Sequence, residues 1–548
     1  MKRNGILFLL VAIVSLPFLK ADGQQKELPR PKLVVGIVVD QMRWDYLYRY
    51  YDRYEAGGFK RMLNEGFSCE NAFINYLPSY TAVGHTIVYT GSVPAVTGIV
   101  GNDWTNQLTG ERFYCTEDHE VQTVGATGDV GEMSPKRMLV STVTDELRLA
   151  TNFRSRVVGV SLKDRAAILP AGHTANAAFW MDDASGHFVT SSYYMDELPQ
   201  WVQQFNAQNL PEQLVENGWE TLYPIETYVQ SSEDNVSWEG RFRDEEATTF
   251  PHDMKNIYAK SHGSLRSTPF GNTLTLAFAQ AAVNGYKLGQ GEVTDFLTVN
   301  CASTDYVGHM YGPNSIEVED TYLRLDKQLA AFFSFLDKQV GKGEYLVFLT
   351  ADHGGAHSIG FMQEHDLPAD FLEMKTIQEP LEELLAEKFG AGDLVKSLMN
   401  YQVNYDMTKI REQHLDYEAI KAETVTFLKQ QEGVQFAVDM DHIGDASIPE
   451  PLKSKIVNGY NHKRCGPVMI IPNPGWFSGH KGGTGTTHGT WGAYDTHLPL
   501  LFMGWGIKQG ASNRHVRLSD IAPTVAALLH IQMGNGNVGV PIQEVMAD

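Results

Sequence analysis

Three apolar segments of the chain end in, or are soon followed by, side chains that can bind a metal ion. The segments are LVVGIVVD, DFLTVNCASTD and YLVFLTADH, and the side chains are Asp40, Asp305, His309, Asp352 and His353. One aspartate at a strand end is usually a helix cap or a turn residue, so the three sets must be weighed together. Carboxylates brought close together repel one another, and a divalent cation would neutralise them. Aspartate oxygens with imidazole nitrogens are donors that suit Zn²⁺.

A further histidine, His488, lies in the Gly- and Thr-rich tract GHKGGTGTTHGTWG near the C-terminus. This tract precedes an apolar segment, whereas the glycine-rich loop of a nucleotide site follows a strand and opens a helix. We therefore interpret it as a loop that returns His488 to the metal site. His480 and His497 remain as alternatives, while His85 and His173 are interpreted as ordinary core or surface histidines.

Short apolar segments predict the strands that position these residues. They are Leu33–Val39, Val157–Leu162, Phe296–Val299, Tyr345–Leu349 and Leu500–Met503, and we interpret them as buried parallel strands. Helical patterns lie between them, such as Val318–Val340 and Ile521–Leu529. The alternation predicts an α/β fold with a doubly wound, mostly parallel central sheet flanked by helices. Such sheets bind ligands beyond the carboxyl ends of their strands, where the aspartates lie.

Two regions depart from this alternation and are interpreted as cap insertions. Residues 171–290 are rich in Trp, Tyr, Asn and Gly, and residues 356–480 contain polar helices followed by a loop-like tract. The catalytic core would then consist of residues 32–170, 291–355 and 481–548. The alternative is that both regions are peripheral elements of one domain.

The N-terminus predicts export. Lys2 and Arg3 precede the apolar run ILFLLVAIVSLPFL, which is typical of a secretory signal peptide, here residues 1–21. The run is shorter than the roughly 20 apolar residues of a membrane span, and the sequence predicts no transmembrane segment after it. We expect a periplasmic or secreted protein.

Composition narrows the choice of partner. The net charge is −22, or −25 without the three basic residues of the signal region, and a surface this acidic argues against nucleic acid. An anionic substrate therefore needs a local positive site. Four cysteines lack CxxC spacing, and export would permit at most two disulfides; they are Cys69, Cys115, Cys301 and Cys465. The oligomeric state stays open.

The metal-binding side chains, taken in chain order, resemble the ligand set of the alkaline phosphatase superfamily. The resemblance covers residues from about 32 to 355 and from about 480 to the end. It implies two Zn²⁺ ions per chain. One would be held by Asp305, His309 and His488, and the other by Asp40, Asp352 and His353. The resemblance also implies a nucleophile that touches the second ion.

That nucleophile is expected at a helix start between the first two ligand segments. In NYLPSYTAVGHTIVYTG, Thr81 opens a helix-like segment, with Ser79 and Tyr80 as competing hydroxyls. The resemblance favours Thr81. Metal coordination would activate its hydroxyl, and the helix N-terminus would favour phosphoryl oxygens.

Asn102, Lys163 and Arg165 resemble the phosphate-binding set of PafA-type alkaline phosphatases, which use a threonine nucleophile. In VVGVSLKDR, Lys163 and Arg165 are expected on one face of a strand; the alternative is an ordinary solvated strand end. Two cations and an amide suit the charge of a phosphate monoester. No magnesium site is evident, and the Lys/Arg pair is expected to take its place.

Other branches of the superfamily fit less well. The C/S-x-P-x-R signature of sulfatases is absent at the cysteines, phosphoethanolamine transferases need a membrane domain, and phosphoglycerate mutases are cytosolic and use serine. The expected function is therefore a secreted two-zinc alkaline phosphatase that hydrolyses small phosphate monoesters through a phosphothreonine. The alternatives are a phosphodiesterase, nucleotide pyrophosphatase or phosphonate hydrolase, and a non-enzymatic metal-stabilised binding protein.

Overall fold

The computed structural model describes residues 28–107, 109–243 and 245–547. The predicted signal peptide, residues 1–21, lies outside the described residues. Among the described helices, none has both the length and the apolar character needed to cross a membrane.

The strands are short except in the centre of the molecule. In chain order they are β1 (Leu33–Val39), β2 (Phe67–Cys69), β3 (Ala72–Phe73), β4 (Asp103–Thr105), β5 (Arg112–Tyr114), β6 (Thr123–Val124), β7 (Val157–Val160), β8 (Ala177–Met181), β9 (Phe188–Ser191), β10 (Asp295–Cys301), β11 (Tyr345–Thr350), β12 (Phe371–Leu372), β13 (Val395–Met399), β14 (Gln402–Tyr405), β15 (Val434–Asp439), β16 (Val468–Pro472), β17 (Phe477–Ser478), β18 (His497–Leu498), β19 (Leu500–Gly504), β20 (Gly510–Ser512) and β21 (Val516–Arg517).

The α-helices alternate with these strands through most of the chain. In chain order they are α1 (Tyr46–Arg49), α2 (Phe59–Glu65), α3 (Thr81–Thr90), α4 (Pro94–Thr97), α5 (Val143–Ala150), α6 (Asp164–Ala171), α7 (Gln200–Asn206), α8 (Leu210–Val215), α9 (Met254–Lys260), α10 (Pro269–Tyr286), α11 (Ser303–Tyr311), α12 (Ile316–Leu336), α13 (Ile359–Glu364), α14 (Met374–Phe389), α15 (Met407–Glu412), α16 (Tyr417–Leu428), α17 (Leu452–Gly459), α18 (Ala493–Thr496) and α19 (Ile521–Leu529).

A ten-stranded central sheet forms the core, in the order β20-β2-β19-β11-β1-β10-β7-β8-β9-β6. The five strands β11, β1, β10, β7 and β8 are parallel. β1 lies between β10 and β11, with Val39 opposite Cys301 and Val38 opposite Thr350. The α/β fold with a mostly parallel sheet flanked by helices is therefore confirmed. The register brings the carboxyl ends of β1, β10 and β11 to one edge.

Two details of the strand prediction were wrong. β19 is a strand as expected, but it runs antiparallel to β11, with Leu501 opposite Leu349. An apolar segment indicates that a strand is buried on both faces, and it does not encode direction. β7 also ends at Val160, two residues before the predicted end, so the residues that follow it leave the sheet.

Two helices follow their predicted positions closely. α19 has the predicted bounds. α12 begins where the Ser315 hydroxyl accepts a hydrogen bond from the Val318 amide, as an N-cap does. It ends at Leu336 and continues as a π-helical turn over Asp337–Gly341.

Helix α3 is buried along its whole length beside the carboxyl edge of the sheet. Gly84 permits its close approach, since a Cβ atom there would lie 2.3 Å from the carbonyl oxygen of Asp352. A larger residue at Gly84 would push the helix away from the segment that follows β11.

The two regions interpreted as insertions differ in their relation to the central sheet. Within residues 171–290, β8 and β9 extend that sheet and α10 packs against β10. Within residues 356–480, β13, β14, β16 and β15 form a separate four-stranded antiparallel sheet with its own hydrophobic cluster. The division into a three-part core with two caps stays a prediction. β8 and β9 favour the single-domain alternative for the first region.

Candidate active site

The first group of candidate ligands, here named the strand-end cluster, consists of Asp40, Asp352 and His353. Asp40 directly follows β1, the other two follow β11, and all three are fully buried. The His353 Nε2 atom lies 3.3 Å from Asp352 Oδ2 and 3.6 Å from Asp40 Oδ1. These two carboxylate oxygens accept no hydrogen bond from the residues that the structure describes. Buried anionic oxygens without donors are costly, and a bound cation would remove that cost.

The second group, here named the helix–loop cluster, consists of Asp305, His309 and His488. Asp305 and His309 are four residues apart on α11 and so lie on one face of the helix. His309 Nε2 is 3.1 Å from Asp305 Oδ1. His488 comes from the Gly- and Thr-rich loop, and its Nε2 is 3.8 Å from the same oxygen. In both clusters the candidate ligand atoms lie within 4.8 Å of one another.

Backbone carbonyls orient the histidines of both clusters. The Nδ1 atoms of His353, His309 and His488 lie 2.9, 2.8 and 2.7 Å from the carbonyl oxygens of Gly354, Thr486 and Ser79. A carbonyl can only accept, so each Nδ1 carries the proton and donates. When such a ring is neutral, its Nε2 lone pair is available to a metal ion. Six side chains thus offer two three-ligand sites that fit divalent cations.

Lys163 joins the two clusters. Its Nζ atom lies 2.9 Å from Asp40 Oδ2 and 2.6 Å from Asp305 Oδ2, and its side chain is almost wholly buried. Burial raises the pKa of Asp40 to about 8, and the charge of Asp352 adds to this rise. Burial also favours the neutral form of Lys163, but the charges of Asp305 and Asp40 raise its pKa above the ordinary value. One ammonium therefore compensates only part of the negative charge.

The hydroxyl of Thr81 lies beside the strand-end cluster. Thr81 is the first residue of α3 and is 1% exposed. Its Oγ1 atom is 3.4 Å from His353 Nε2, the nitrogen that is left for a metal ion. The competing hydroxyl of Ser79 donates instead to the carbonyl oxygen of Thr490 at 3.1 Å, and the ring of Tyr80 packs edge-on against His488.

Asn102 caps the start of α3, because its Oδ1 atom accepts a hydrogen bond of 2.9 Å from the Ala82 amide. This contact fixes the orientation of the side-chain amide. The NH₂ group is the part of Asn102 that remains to donate.

Lys163 and Arg165 do not share a strand face, so that prediction was wrong. β7 ends at Val160, Lys163 directly precedes α6, and Arg165 lies in the first turn of that helix. Arg165 Nη1 donates to the Tyr114 hydroxyl at 3.1 Å. A spacing of two gives a common face only if the strand continues, and here the chain has already turned into a helix.

Sequence reasoning missed two neighbours of the clusters. The Gln41 side chain donates to Asp305 Oδ1 at 2.7 Å, and its backbone amide donates to Asp352 Oδ1 at 3.2 Å. His85, interpreted as an ordinary histidine, donates from Nδ1 to the carbonyl of Thr81 at 2.9 Å and lies 3.3 Å from Asp352 Oδ2. The i,i+4 spacing of Thr81 and His85 on one helix could have predicted the hydrogen bond between these two residues.

The other histidines considered lie outside the site. His480 is exposed, whereas His497 donates to the carbonyl of Glu70 at 2.9 Å and stacks on Phe73. His173 lies 3.2 Å from an oxygen of Asp145.

A further group of possible ligands lies on the surface, formed by Glu418, Asp439 and His442. The Nζ atom of Lys421 already lies 3.1 Å from Glu418 and 3.0 Å from Asp439. A lysine thus neutralises this group. Within the described parts of the chain all four cysteines are buried and free, so the disulfides that export would permit are not formed.

A cavity of about 740 Å³ with polar and apolar walls opens beside the helix–loop cluster. Its wall includes Tyr306, His309, Met310 and Thr484, together with residues 235–237 and 239–241. The cavity gives a small molecule access to His309.

Similarity to known proteins extends over nearly the whole chain. Residues 34–494 match the family described as type I phosphodiesterase / nucleotide pyrophosphatase. Alkaline phosphatase PafA of Elizabethkingia meningoseptica is 56% identical over 96% of this chain and 96% of its own. Alkaline phosphatase PhoV of Synechococcus elongatus is 50% identical over 99% of this chain and 100% of its own.

A crystal structure of wild-type PafA has a TM-score of 0.93 to this chain at 56% identity, and covers 95% of this chain and 100% of that one. A PafA variant with four substitutions, of a threonine, an asparagine, a lysine and an arginine, gives the same TM-score at 55% identity over the same shares. The resemblance first seen in the order of the ligands is therefore confirmed. The chain belongs to the alkaline phosphatase superfamily, within the type I phosphodiesterase / nucleotide pyrophosphatase family.

Proposed function

We propose that the protein is an alkaline phosphatase that hydrolyses small phosphate monoesters. The observation that carries this proposal is the position of the Thr81 hydroxyl, 3.4 Å from His353 Nε2 at the buried start of α3. A hydroxyl beside a three-ligand metal site can act as a nucleophile. The identity of 56% to PafA and 50% to PhoV, both named alkaline phosphatases, supports the same activity.

We infer that each cluster holds one Zn²⁺ ion. The unpartnered oxygens of Asp40 and Asp352 and the outward Nε2 atoms of the histidines are the donors that such an ion requires. Bound zinc would favour the ionised form of a hydroxyl and stabilise negative charge on phosphoryl and leaving oxygens.

The proposed reaction has two displacement steps at phosphorus. The Thr81 hydroxyl gives up its proton to solvent and its oxygen attacks phosphorus in line. A bond from phosphorus to Thr81 forms, and the bond to the leaving oxygen breaks. The departing alkoxide takes a proton from solvent and leaves as the alcohol. Water next attacks the phosphothreonine, releases phosphate and restores the hydroxyl. The N-terminus of α3 adds a positive dipole end at the phosphoryl group.

Asn102, Lys163 and Arg165 are proposed to bind the phosphoryl oxygens. Asn102 offers its NH₂ group, and Arg165, which donates to Tyr114, offers a fork of further donors. Lys163 contacts a carboxylate of each cluster, so its charge lies between them. The four residue types substituted together in the PafA variant occur here in the same chain order, with Thr81 as the first.

A phosphodiesterase on the same scaffold is the enzyme alternative. A monoester dianion carries one more negative charge than a diester, and two cations with an amide donor favour the monoester. The test is kcat/KM for nitrophenyl phosphate and for its methyl diester, measured on protein whose zinc content is known. A diester preference of orders of magnitude would overturn the monoesterase proposal. Failure of zinc-loaded protein to release phosphate from either would favour a binding protein.

Substitution of Thr81 tests the nucleophile. T81A should lower kcat by at least about 10³-fold, because removal of a nucleophile abolishes the covalent route, whereas T81S should retain turnover. T90A is the matched control, since Thr90 is a buried threonine at the other end of the same helix, where its hydroxyl donates to the Thr86 carbonyl and accepts from the Ser92 amide. Acid-quenched wild-type protein should carry phosphate on the peptide that contains Thr81. Full activity in T81A would exclude this assignment.

We also propose that residues 1–21 direct export and are removed. N-terminal sequencing of the protein recovered from the periplasm or the medium tests this proposal, and a retained Met1 would contradict it.

A further inference from the structure

Asp495 is a fully buried carboxylate in the short helix α18, which follows the loop of His488. Its Oδ2 atom accepts hydrogen bonds of 2.7 Å from both the amide and the hydroxyl of Thr490. The Ser79 hydroxyl lies 3.5 Å from the same oxygen. One carboxylate therefore contacts the loop two residues after His488 and the chain two residues before Thr81.

The backbone around Asp495 reaches a third segment of the site. Its carbonyl oxygen accepts a hydrogen bond of 2.8 Å from Gly354, and the carbonyl of Tyr494 accepts one of 3.1 Å from Gly355. Gly354 directly follows His353. The same turn of chain thus contacts the segments that carry the nucleophile, the loop histidine and the strand-end histidine.

Before His488 the loop is fixed by hydrogen bonds of Thr486 and Thr487 with His309 and Ala356, so the contacts at Asp495 hold it on the other side of the histidine. Glycines occupy six positions between 479 and 492, and Gly489, next to His488, has a φ of +104° that strongly favours glycine. His488 itself is oriented by the Ser79 carbonyl at 2.7 Å. The Ser79 hydroxyl in turn donates to the carbonyl of Thr490 at 3.1 Å. At its imidazole and on its C-terminal side, His488 is therefore held by Ser79 and Thr490, and both contact Asp495.

We propose that Asp495 is a positioning residue for metal binding: through Thr490 and Ser79 it holds His488 at the helix–loop cluster and sets the affinity of that cluster for zinc. This inference rests on the proposed function, in which His488 is a zinc ligand. Partners that orient a ligand from outside the coordination sphere typically change metal affinity or activity by about 10–100-fold.

The experiment measures the zinc concentration for half-maximal activity and the zinc equivalents retained after dialysis against a chelator. D495A should raise the first about 10–100-fold and lose one equivalent more readily than wild type. Excess zinc should restore part of kcat/KM. D495N keeps one oxygen that can accept from Thr490, so its effect should be intermediate.

D326A is the matched control. Asp326 is a buried aspartate that accepts hydrogen bonds of 2.7 and 2.8 Å from the amides of Glu55 and Phe59, away from both clusters. Its loss should lower the melting temperature without changing the zinc dependence. If D495A is recovered unfolded, D495N decides the question.

Two outcomes overturn the proposal: zinc dependence in D495N and D495A equal to that of wild type, or an equal shift of zinc dependence in D326A. Failure of the proposed function looks different. In that case the wild-type protein itself would lack zinc-dependent phosphatase activity.

Discussion

The strand-end cluster and the helix–loop cluster have the same kinds of donor but different supports. Asp40, Asp352 and His353 follow adjacent strands in the middle of the sheet and are fully buried. In the helix–loop cluster the His309 side chain is 35% exposed, and His488 comes from a glycine-rich loop. Similar donors thus lie on a rigid edge in one case and on a helix and a loop in the other.

This difference suggests a division of roles. Buried ligands on neighbouring strands lose little order when a metal ion binds, because packing already fixes them. The helix–loop cluster borders the cavity and depends on the chain around Asp495. If each cluster binds an ion as proposed, we expect the strand-end cluster, beside Thr81, to hold its ion more tightly than the helix–loop cluster, which borders the cavity.

Substitution of one histidine in each cluster should give the largest fall in activity among these predictions. H353A and H488A should each lower kcat/KM by on the order of 10³-fold, about 4 kcal/mol, because each loses one ligand of an ion that stabilises charge in the transition state. The melting temperature should separate them. H353A leaves two fully buried carboxylates without their imidazole and should be the less stable variant when both carry excess zinc.

Calorimetry of both variants with and without zinc makes this measurement, and H497A serves as control, since His497 lies outside the clusters. If H488A melts at a lower temperature than H353A, the proposed difference in support is wrong.

The sequence could predict that Asp40, Asp305 and Asp352 lie close together, because each follows an apolar segment and parallel strands deliver their carboxyl ends to one edge. The two ligand sets followed from the resemblance, and their binding of metal ions stays a prediction. The direction of β19, the helical position of Arg165 and the contacts of Gln41 and His85 were not predictable in the same way. They depend on where a strand stops and on hydrogen bonds between residues that are far apart in sequence. Asp495 illustrates this limit, since its partners Ser79 and Gly354 come from segments more than 100 residues away.

Lys163 contacts a carboxylate of each cluster, so its substitution tests whether its ammonium neutralises the same negative charge that bound metal ions would neutralise. K163M should destabilise metal-free protein by about 3 kcal/mol, because Asp40 and Asp305 lose their buried counterion. The loss should be smaller with zinc, since bound cations then compensate the same carboxylates. Denaturant titration with and without zinc measures both values.

R53M is the control for that experiment. Arg53 pairs with the buried carboxylate of Glu319 at 2.7 Å, outside both clusters and outside the surface group. Its substitution should destabilise the protein equally with and without zinc. If K163M also loses the same unfolding free energy with and without zinc, Lys163 stabilises the protein independently of metal binding.

Glu239 should give the smallest effect, and it shows what a buried carboxylate does when it is not part of either cluster. It is 4% exposed, and its oxygens accept no hydrogen bond from the described residues. Burial raises its pKa to about 10, and the charges of Glu317 and Asp234 add to this rise. An acid whose pKa is higher in the folded state loses stability as the pH rises from its unfolded value towards its folded value.

E239Q removes that loss while keeping the shape of the side chain. Its melting temperature should equal or slightly exceed that of wild type near pH 5. The gain in unfolding free energy over wild type should increase with pH and reach about 1–3 kcal/mol at pH 9. E245Q should instead melt at a lower temperature than wild type, because Glu245 pairs with the buried His252 at 3.0 Å. Zinc dependence should stay unchanged in E239Q, since Glu239 belongs to neither cluster. A melting temperature of E239Q below that of wild type at pH 9 would mean that the Glu239 carboxylate has a partner that stabilises its charge.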